Sequence, residues 1–381
     1  MVPTPSEIHV LGAGPTGALT ALALSRQHQR VVLFDPLPAA NLVERSRAYA
    51  LTHSSRRLLT SLGLWNDLGH ALVPFRHLDL RDRAINAQVL FDQNDLAPAN
   101  QSHDGIGWIL DHRPLMELLL KRLKDSENVQ VHLAEPCPEA PSDALIVAAD
   151  GPSSPTRQTW GIRSWGLRYR QGCLTAKVLL RGLAHDSACE LFRPEGPLAV
   201  LPLGRGTFQV VWSAPWHRCE QRSSLGRSQF LDQLAAVLPE GIEPDVLLDQ
   251  PRAFPQHWLL ARRFHRGRGV LIGEAAHRCH PVGGQGLNLC WRDVDGLIQS
   301  VQRGGSAEAI ARRYGISRWM DVLQVGFATD LLVRLFSNRH PLLLPLRRLA
   351  LQLLKHLPAL RKLSLRAMSD GPMQLWQALP N

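Results

Sequence analysis

GVLIGEAAHRCHPVGGQGLNL, residues 269–289, is the stretch on which the fold turns. An apolar, strand-like run (Val270, Leu271, Ile272) breaks at Gly273. Glu274, His277 and Pro281 then precede the glycine-rich Gly283-Gly284-Gln285-Gly286 and a helix-like pattern. Such a segment carries backbone N–H groups up to a ligand, although glycines before a helix also serve backbone geometry alone. Three further stretches decide between these readings.

Near the N-terminus, residues 8–11 form a short apolar run leading into Gly12-Ala13-Gly14-Pro15-Thr16-Gly17, and residues 18–24 are strong helix formers. Strand, glycine turn and helix follow in order. Here Gly12 permits a tight turn, Gly14 a close approach of pyrophosphate and Gly17 tight helix packing, while the helix N-terminus offers free N–H groups to phosphate. A second apolar strand, residues 31–34, ends at Asp35, 21 residues after Gly14, where an acid suits a ribose hydroxyl pair. This reads as dinucleotide binding and leaves NAD and FAD both open.

Residues 143–150 (DALIVAAD) have a buried-strand pattern ending in Asp150-Gly151, followed by Ser154 and Arg157. Taken alone, Asp-Gly after a strand is a common turn. Combined with the glycine loops at both ends of the chain, it implies a long ligand threaded past several strand ends. FAD fits that span, whereas NAD usually stays within one doubly wound unit.

Together these motifs resemble the single-component flavoprotein aromatic hydroxylases: G-x-G-x-x-G early, an A-D-G strand end in the middle, and a late G-D-A-A-H-x-x-x-P-x-x-G-Q-G-x-N. The late motif stands here as Gly273-Glu274-Ala275-Ala276-His277, Pro281, Gly284-Gln285-Gly286 and Asn288. Within that class the chain is most similar to the 2-polyprenylphenol hydroxylase group of ubiquinone biosynthesis. The likeness rests on Arg47-Ala48-Tyr49-Ala50-Leu51, Leu62-Gly63-Leu64-Trp65, residues 190–203 (ELFRPEGPLAVLPL) and Phe336-Ser337-Asn338, and it covers nearly the whole chain. One departure is Glu274, where the family has Asp; the acceptor chemistry is kept with a reach one methylene longer.

The resemblance implies FAD, with NADPH or NADH as co-substrate, O2, and a prenylated phenol hydroxylated through a flavin hydroperoxide. It assigns the pyrophosphate to Gly12, Gly14 and Gly17 and the adenosine ribose to Asp35. Arg47 would reach the ribityl and phosphate region, and Arg113 would sit beside the pyrophosphate. Asp150, Gly151 and Arg157 would serve FAD and passing NADPH. Glu274 and Pro281 would approach the ribityl chain and ring, and Gly286, Leu287 and Asn288 the pyrimidine end, where negative charge collects. No metal is implied and no catalytic base is named; His53, His277 and His280 are read as structural.

The expected fold is α/β. A Rossmann-like FAD-binding domain (residues 1–75, 100–165 and 255–325) interleaves with a β-sheet substrate domain (76–99 and 166–254), followed by a C-terminal helical segment (326–381). Period-two patches such as Thr207-Phe208-Gln209-Val210-Val211-Trp212 mark the sheet. With 381 residues the chain buries a sizeable core. Its polar, Pro-rich start predicts no signal peptide, and six scattered cysteines predict reduced thiols and a cytoplasmic setting.

The net charge of +10 fits nucleic acid, an anionic membrane or an anionic cofactor. Residues 331–369 contain no Asp or Glu, eight Lys or Arg and fifteen Leu, which favours a membrane surface and no nucleic acid. Leu-rich helices broken by Pro341, Pro345 and Pro358 are too short in apolar run to span a bilayer. They either pack on the FAD domain or lie on an anionic membrane surface, or do both on opposite faces. Quinone-biosynthesis enzymes are further expected partners. Competing functions are an epoxidase or prenyl reductase of the same fold, and a non-catalytic assembly subunit in which Glu274 blocks productive flavin.

Overall fold

The computed structural model describes residues 5–135, 137, 139–337, 340 and 342–371. Six strands form a mostly parallel sheet: β1 (Ile8–Leu11), β2 (Val31–Asp35), β8 (Val129–Leu133), β9 (Leu145–Ala148), β16 (His265–Arg266) and β17 (Gly269–Leu271). Their spatial order is β16-β17-β9-β1-β2-β8, with only β16 antiparallel. Helices cover the sheet, so its central strands are continuous apolar runs rather than alternating ones. Helix α1 (Pro15–Ser25) is buried from Gly17 to Ser25, because it lies between this sheet and two helices, α4 (His112–Lys124) and α8 (Gln285–Gln302). A helix enclosed in this way has no polar face, and its sequence, PTGALTALALS, supplies none.

The second sheet has nine strands: β5 (His77–Asp82), β6 (Ala87–Phe91), β10 (Ser164–Arg181), β11 (Ser187–Phe192), β12 (Leu198–Gly204), β13 (Thr207–Pro215), β14 (Glu243–Leu247), β15 (Arg252–Ala261) and β18 (His277–Arg278). Its order is β18-β15-β10-β13-β12-β11-β5-β6, with β14 also on β10. The 18-residue β10 is the spine, pairing antiparallel with β13, β14 and β15. Helices α6 (Trp216–Ser223) and α7 (Arg227–Ala235) pack on this sheet. A small antiparallel sheet of β3 (Ala48–Leu51), β4 (Leu72–Phe75) and β7 (Gly107–Asp111) also lies within the fold, with α2 (Ala39–Val43), α3 (His53–Ser61) and α5 (Pro155–Thr159) between strands.

The interleaved α/β architecture expected from the sequence is therefore present. Two expected boundaries fall inside elements. Position 255 lies within β15, whose pairing with β10 carries the second sheet on to Ala261 beside the late motif. Position 326 lies within α9 (Ala307–Phe336), a single 30-residue helix rather than the start of a separate segment.

Two more helices follow, α10 (Leu343–His356) and α11 (Pro358–Asp370). Pro345 does not break α10, because it sits in the first turn, where a missing N–H costs no helical bond. Pro341, Asn338 and residues 372–381 lie outside the described residues. Leu351 and Leu365 bury into a third apolar cluster with Phe75, Leu78, Phe91, Phe192 and Phe336, which seats the C-terminal helices on β5 and β6. Buried Arg347 pairs with Asp82 at 3.8 Å, and Arg361 with Asp95 at 2.7 Å. No described helix is long and apolar enough to cross a membrane.

Candidate functional site

The C-terminal ends of β1, β2 and β9 open into one cavity of about 580 Å³. Gly12, at φ +103°, makes the turn; a Cβ there would meet the Ala149 carbonyl oxygen at 2.5 Å. Gly17 faces the turn so closely that a Cβ would lie 1.8 Å from the Gly12 oxygen. Gly14 differs, for its Cβ would point into open space with nothing within 4 Å. Gly12 and Gly17 thus shape the loop, and Gly14 leaves room in front of the α1 N-terminus.

Asp35 ends β2 beside them. Its Oδ2 accepts the Ala13 N–H at 2.7 Å and its Oδ1 the Leu37 N–H at 2.9 Å, which fixes the carboxylate and leaves one lone pair on each oxygen. Asp150 ends the β9 side: Oδ2 accepts the Thr156 N–H at 3.0 Å, while Oδ1 is buried without a partner among the described residues. Gly151, at φ +84°, also lines the cavity. Arg157 turns inward instead, donating to the Ala275 carbonyl at 2.7 Å and the Pro152 carbonyl at 3.0 Å, so it braces the Glu274 turn.

Residues 273–288 form the wall of a second cavity. Gly273 (φ +61°) donates its N–H to Asp293 Oδ2 at 3.0 Å. The same oxygen meets His277 Nε2 at 2.5 Å, and Oδ1 accepts from Arg318 Nε at 2.8 Å. Burial alone would raise the Asp293 carboxyl, but His277 and Arg318 pull it down to about 2. His277 is thereby committed to a structural lock. Burial pushes His280 down to about 3 and His53 to about 4, keeping both neutral.

Gly283 and Gly284 take left-handed φ of 69° and 63°, after which α8 begins. A Cβ on Gly286 would find nothing within 4 Å, as at Gly14. Glu274, Pro281, Gly286 and Leu287 line the cavity. Asn288 does not: its Oδ1 accepts from Thr52 N, Thr52 Oγ1 and Ser55 Oγ, and its Nδ2 donates to the Ala50 and Gly284 carbonyls. With its side-chain hydrogen-bonding capacity spent within the protein, that side chain positions the loop.

Arg113 also departs from expectation. Its side chain is 60% exposed, approaches Glu117 at 4.0 Å and lines neither cavity, because α4 turns that face to solvent. Arg45 and Arg47 line the first cavity instead. Arg45 was missed because a single arginine after a short helix carries no motif.

The two cavities adjoin: Arg47, Tyr49, Glu274, Gly286, Leu287 and Cys290 line both. Away from the glycine loops the second cavity is walled by the nine-stranded sheet. Thr175, Glu190, Gln209 and Gln256 give it a polar band, and Phe75, Leu78 and Ile106 give apolar surface, as do Leu365 and Met368 of α11. Glu190 is 6% exposed and accepts the Gly283 N–H on Oε2 at 3.3 Å. Desolvation pushes its carboxyl up to about 7 against the opposing pull of that N–H. It went unmarked in the sequence, although an acid at an inward position of an otherwise buried strand, SACELF, is a readable signal.

Residues 123–318 match the family model described as FAD binding domain. The chain is 27% identical to the 3-demethoxyubiquinol 3-hydroxylase of Escherichia coli, over 96% of this chain and 99% of that protein. It is 25% identical to the ubiquinone biosynthesis monooxygenase COQ6, mitochondrial, of Rattus norvegicus, over 91% of this chain and 87% of the other. Among solved structures it resembles p-nitrophenol 4-monooxygenase PnpA from Pseudomonas putida, with a TM-score of 0.71 at 20% identity, covering 98% and 97% of the two chains. A Klebsiella pneumoniae HpxO variant complexed with FAD superimposes with a TM-score of 0.73 at 20% identity, covering 97% and 98%. With motif, fold and relatives in agreement, the chain belongs to the FAD binding domain family and is an FAD-dependent monooxygenase of the aromatic-hydroxylase class.

Proposed function

We propose that this enzyme lays FAD through the two adjoining cavities and, with NADPH or NADH and O2, hydroxylates a prenylated phenol in ubiquinone-type quinone biosynthesis. The observation that carries the reading is that the two cavities adjoin across six shared lining residues. Open space at Gly14 and Gly286, the N-termini of α1 and α8, and the unpartnered Asp150 oxygen suit a long ligand with an anionic middle and a planar end. In this reading Gly12, Gly14 and Gly17 form the pyrophosphate turn and Asp35 takes the ribose hydroxyls. Arg47, Asp150, Gly151 and Glu274 line the path of the ribityl chain, and Pro281, Gly286 and Leu287 hold the ring. Once bound and reduced, FAD supplies the activation of O2 and the transfer of one oxygen atom. The protein supplies orientation and a wall that keeps water out: the substrate ring meets the polar band, and the prenyl tail runs along Phe75, Leu78, Leu365 and Met368.

Helix α11 joins that wall to an outer surface. Leu342, Leu346, Leu349 and Leu353 form one exposed stripe across α10 at helical spacing, and Leu357, Leu360 and Leu363 are exposed around α11. Exposed Arg348, Lys355 and Lys362 lie among them in a stretch without acids. This surface suits an anionic bilayer, where a polyprenyl substrate resides.

The test of function is spectroscopic. The purified protein should be yellow, and its NADPH consumption should rise with a short-tailed prenylphenol and yield a product one oxygen heavier. NADPH consumption with an epoxidised or reduced prenyl chain would replace the phenol by the chain as the site of attack. Colourless protein that cannot be reconstituted with FAD would overturn the reading and point to Glu274.

A further inference from the structure

We propose that Glu190 is the proton acceptor that ionises the phenolic hydroxyl of the substrate in the second cavity. This rests on the phenol-hydroxylase reading above. Glu190 stands on β11 in the sheet wall, with Thr175, Gln209 and Gln256 from β10, β13 and β15 of the same sheet lining the same cavity. Its Oε2 is anchored by the Gly283 N–H at the head of the glycine loop, where the flavin ring is placed. Among the described residues Oε1 accepts no hydrogen bond from the protein, so it is available to a ligand in the cavity. A carboxylate held there by one backbone N–H, with no paired cation, is an unusual thing to bury unless it exchanges a proton.

The charged groups on the cavity wall are Arg47 just before β3, Glu274 in the turn after β17 and Arg278 on β18; none hydrogen-bonds Glu190. Tyr49, pushed up to about 12 by burial, stays neutral over the working range, as do buried Cys189, Cys279 and Cys290, all pushed up by desolvation. His277 is held by Asp293. Arg81, on the adjacent β5, is bound to Asp79. Glu190 thus combines a free carboxylate oxygen on the cavity with a carboxyl that desolvation pushes up to about 7.

The step is a proton transfer. The phenol O–H bond breaks, its electron pair stays on oxygen and spreads onto the ring carbons ortho and para to it, and the proton forms a bond to Glu190 Oε1. A ring so enriched attacks an electrophilic oxygen far more readily than the neutral phenol. The proton leaves to solvent when the product is released.

Glu190→Gln tests this, since the amide oxygen can still accept the Gly283 N–H while the base is gone. With the holoenzyme and a short-tailed prenylphenol, kcat/KM of the wild type should rise tenfold per pH unit below about 7 and level off above it. Glu190→Gln should lose that step and fall about 100-fold at pH 7.5, the usual scale of general-base assistance. FAD content and the rate of flavin reduction by NADPH should stay unchanged. A nitro-substituted prenylphenol, already ionised at pH 7.5, should restore most of the lost rate, and Glu190→Asp should retain a pH-dependent limb. Equal losses with acidic and ordinary phenols would make Glu190 only a tether of the loop and overturn the proposal, as would an unchanged pH profile. If the wild type itself hydroxylates no phenol, the functional reading fails first and this inference with it.

Discussion

At the scale of single residues, the glycines of the first loop have separable tasks. Gly17 is required by the fold: a methyl there would sit 1.8 Å from the Gly12 oxygen, a collision with backbone that cannot move aside. Gly17→Ala should therefore destabilise the protein by about 3 kcal/mol or more, read as a lower urea midpoint with or without FAD. Gly14 has an ordinary φ of −65° and open space ahead of it, so Gly14→Val should leave the unfolding free energy of the FAD-free protein, read from urea melts, within about 1 kcal/mol of wild type. Its FAD affinity should fall at least tenfold by fluorescence titration, because the side chain would occupy the pyrophosphate's place. Equal FAD affinity in Gly14→Val would move the pyrophosphate elsewhere. The motif spacing made both glycines legible as a set, yet only the coordinates tell the shaping glycine from the one that makes room. Glu190 was marked only by its place in the buried strand SACELF, and Arg45 by nothing local: what each faces in the cavities is brought in from distant strands, and no local pattern records that meeting.

At the scale of elements, the late motif is locked by one buried acid on α8 that ties together a turn, a strand and the next helix. Asp293 accepts from Gly273, His277 and Arg318, and Arg318 also reaches Asp321 at 2.8 Å. The carboxyl titrates near 2 in the folded protein, below its unfolded range near 3.9. A depressed carboxyl contributes stability that is present above about pH 4 and lost as the pH falls toward 2, amounting to about 2 kcal/mol over that window. Asp293→Asn should cost about 3 kcal/mol at pH 7, since it leaves a buried guanidinium short of one partner, and the deficit should shrink by pH 3. Urea melts at the two pH values check this; a deficit that does not shrink would mean that Asp293 serves by shape rather than charge. Helix, strand and turn were all readable here from G-E-A-A-H and the glycine run. The partner at position 293 was not, because a single acid 16 residues beyond His277 on an amphipathic helix looks like any solvated acid. The expected domain boundary at 255 falls within β15 for a related reason: the two ends of that strand serve different surroundings.

At the scale of the whole molecule, the C-terminal helices connect the cavity wall to an exposed leucine-rich surface, which on the proposed function is where a membrane-held substrate enters. The same α11 that closes the cavity with Leu365 and Met368 exposes Leu357, Leu360 and Leu363 on its other side, and α10 adds a parallel stripe. Of the tail readings that the composition left open, packing is observed: one face of the helices sits against β5 and β6, while the leucines of the other are exposed. Seven exposed leucines over two helices and scattered basic residues predict weak, reversible binding that needs apolar contact and negative charge together. Cosedimentation with vesicles containing phosphatidylglycerol should capture the enzyme at low salt. Raising the salt from 50 to 500 mM should reduce binding several-fold as the Debye length shortens, without abolishing it. Replacing Leu346, Leu349 and Leu353 by Ser, all exposed, should leave the melting temperature and the turnover of a water-soluble short-tailed phenol intact. It should reduce vesicle binding and slow turnover of a long-tailed phenol embedded in those vesicles at least fivefold. Unchanged turnover of the embedded substrate would show that its tail reaches the cavity by another route, and that the leucine stripes do not deliver it.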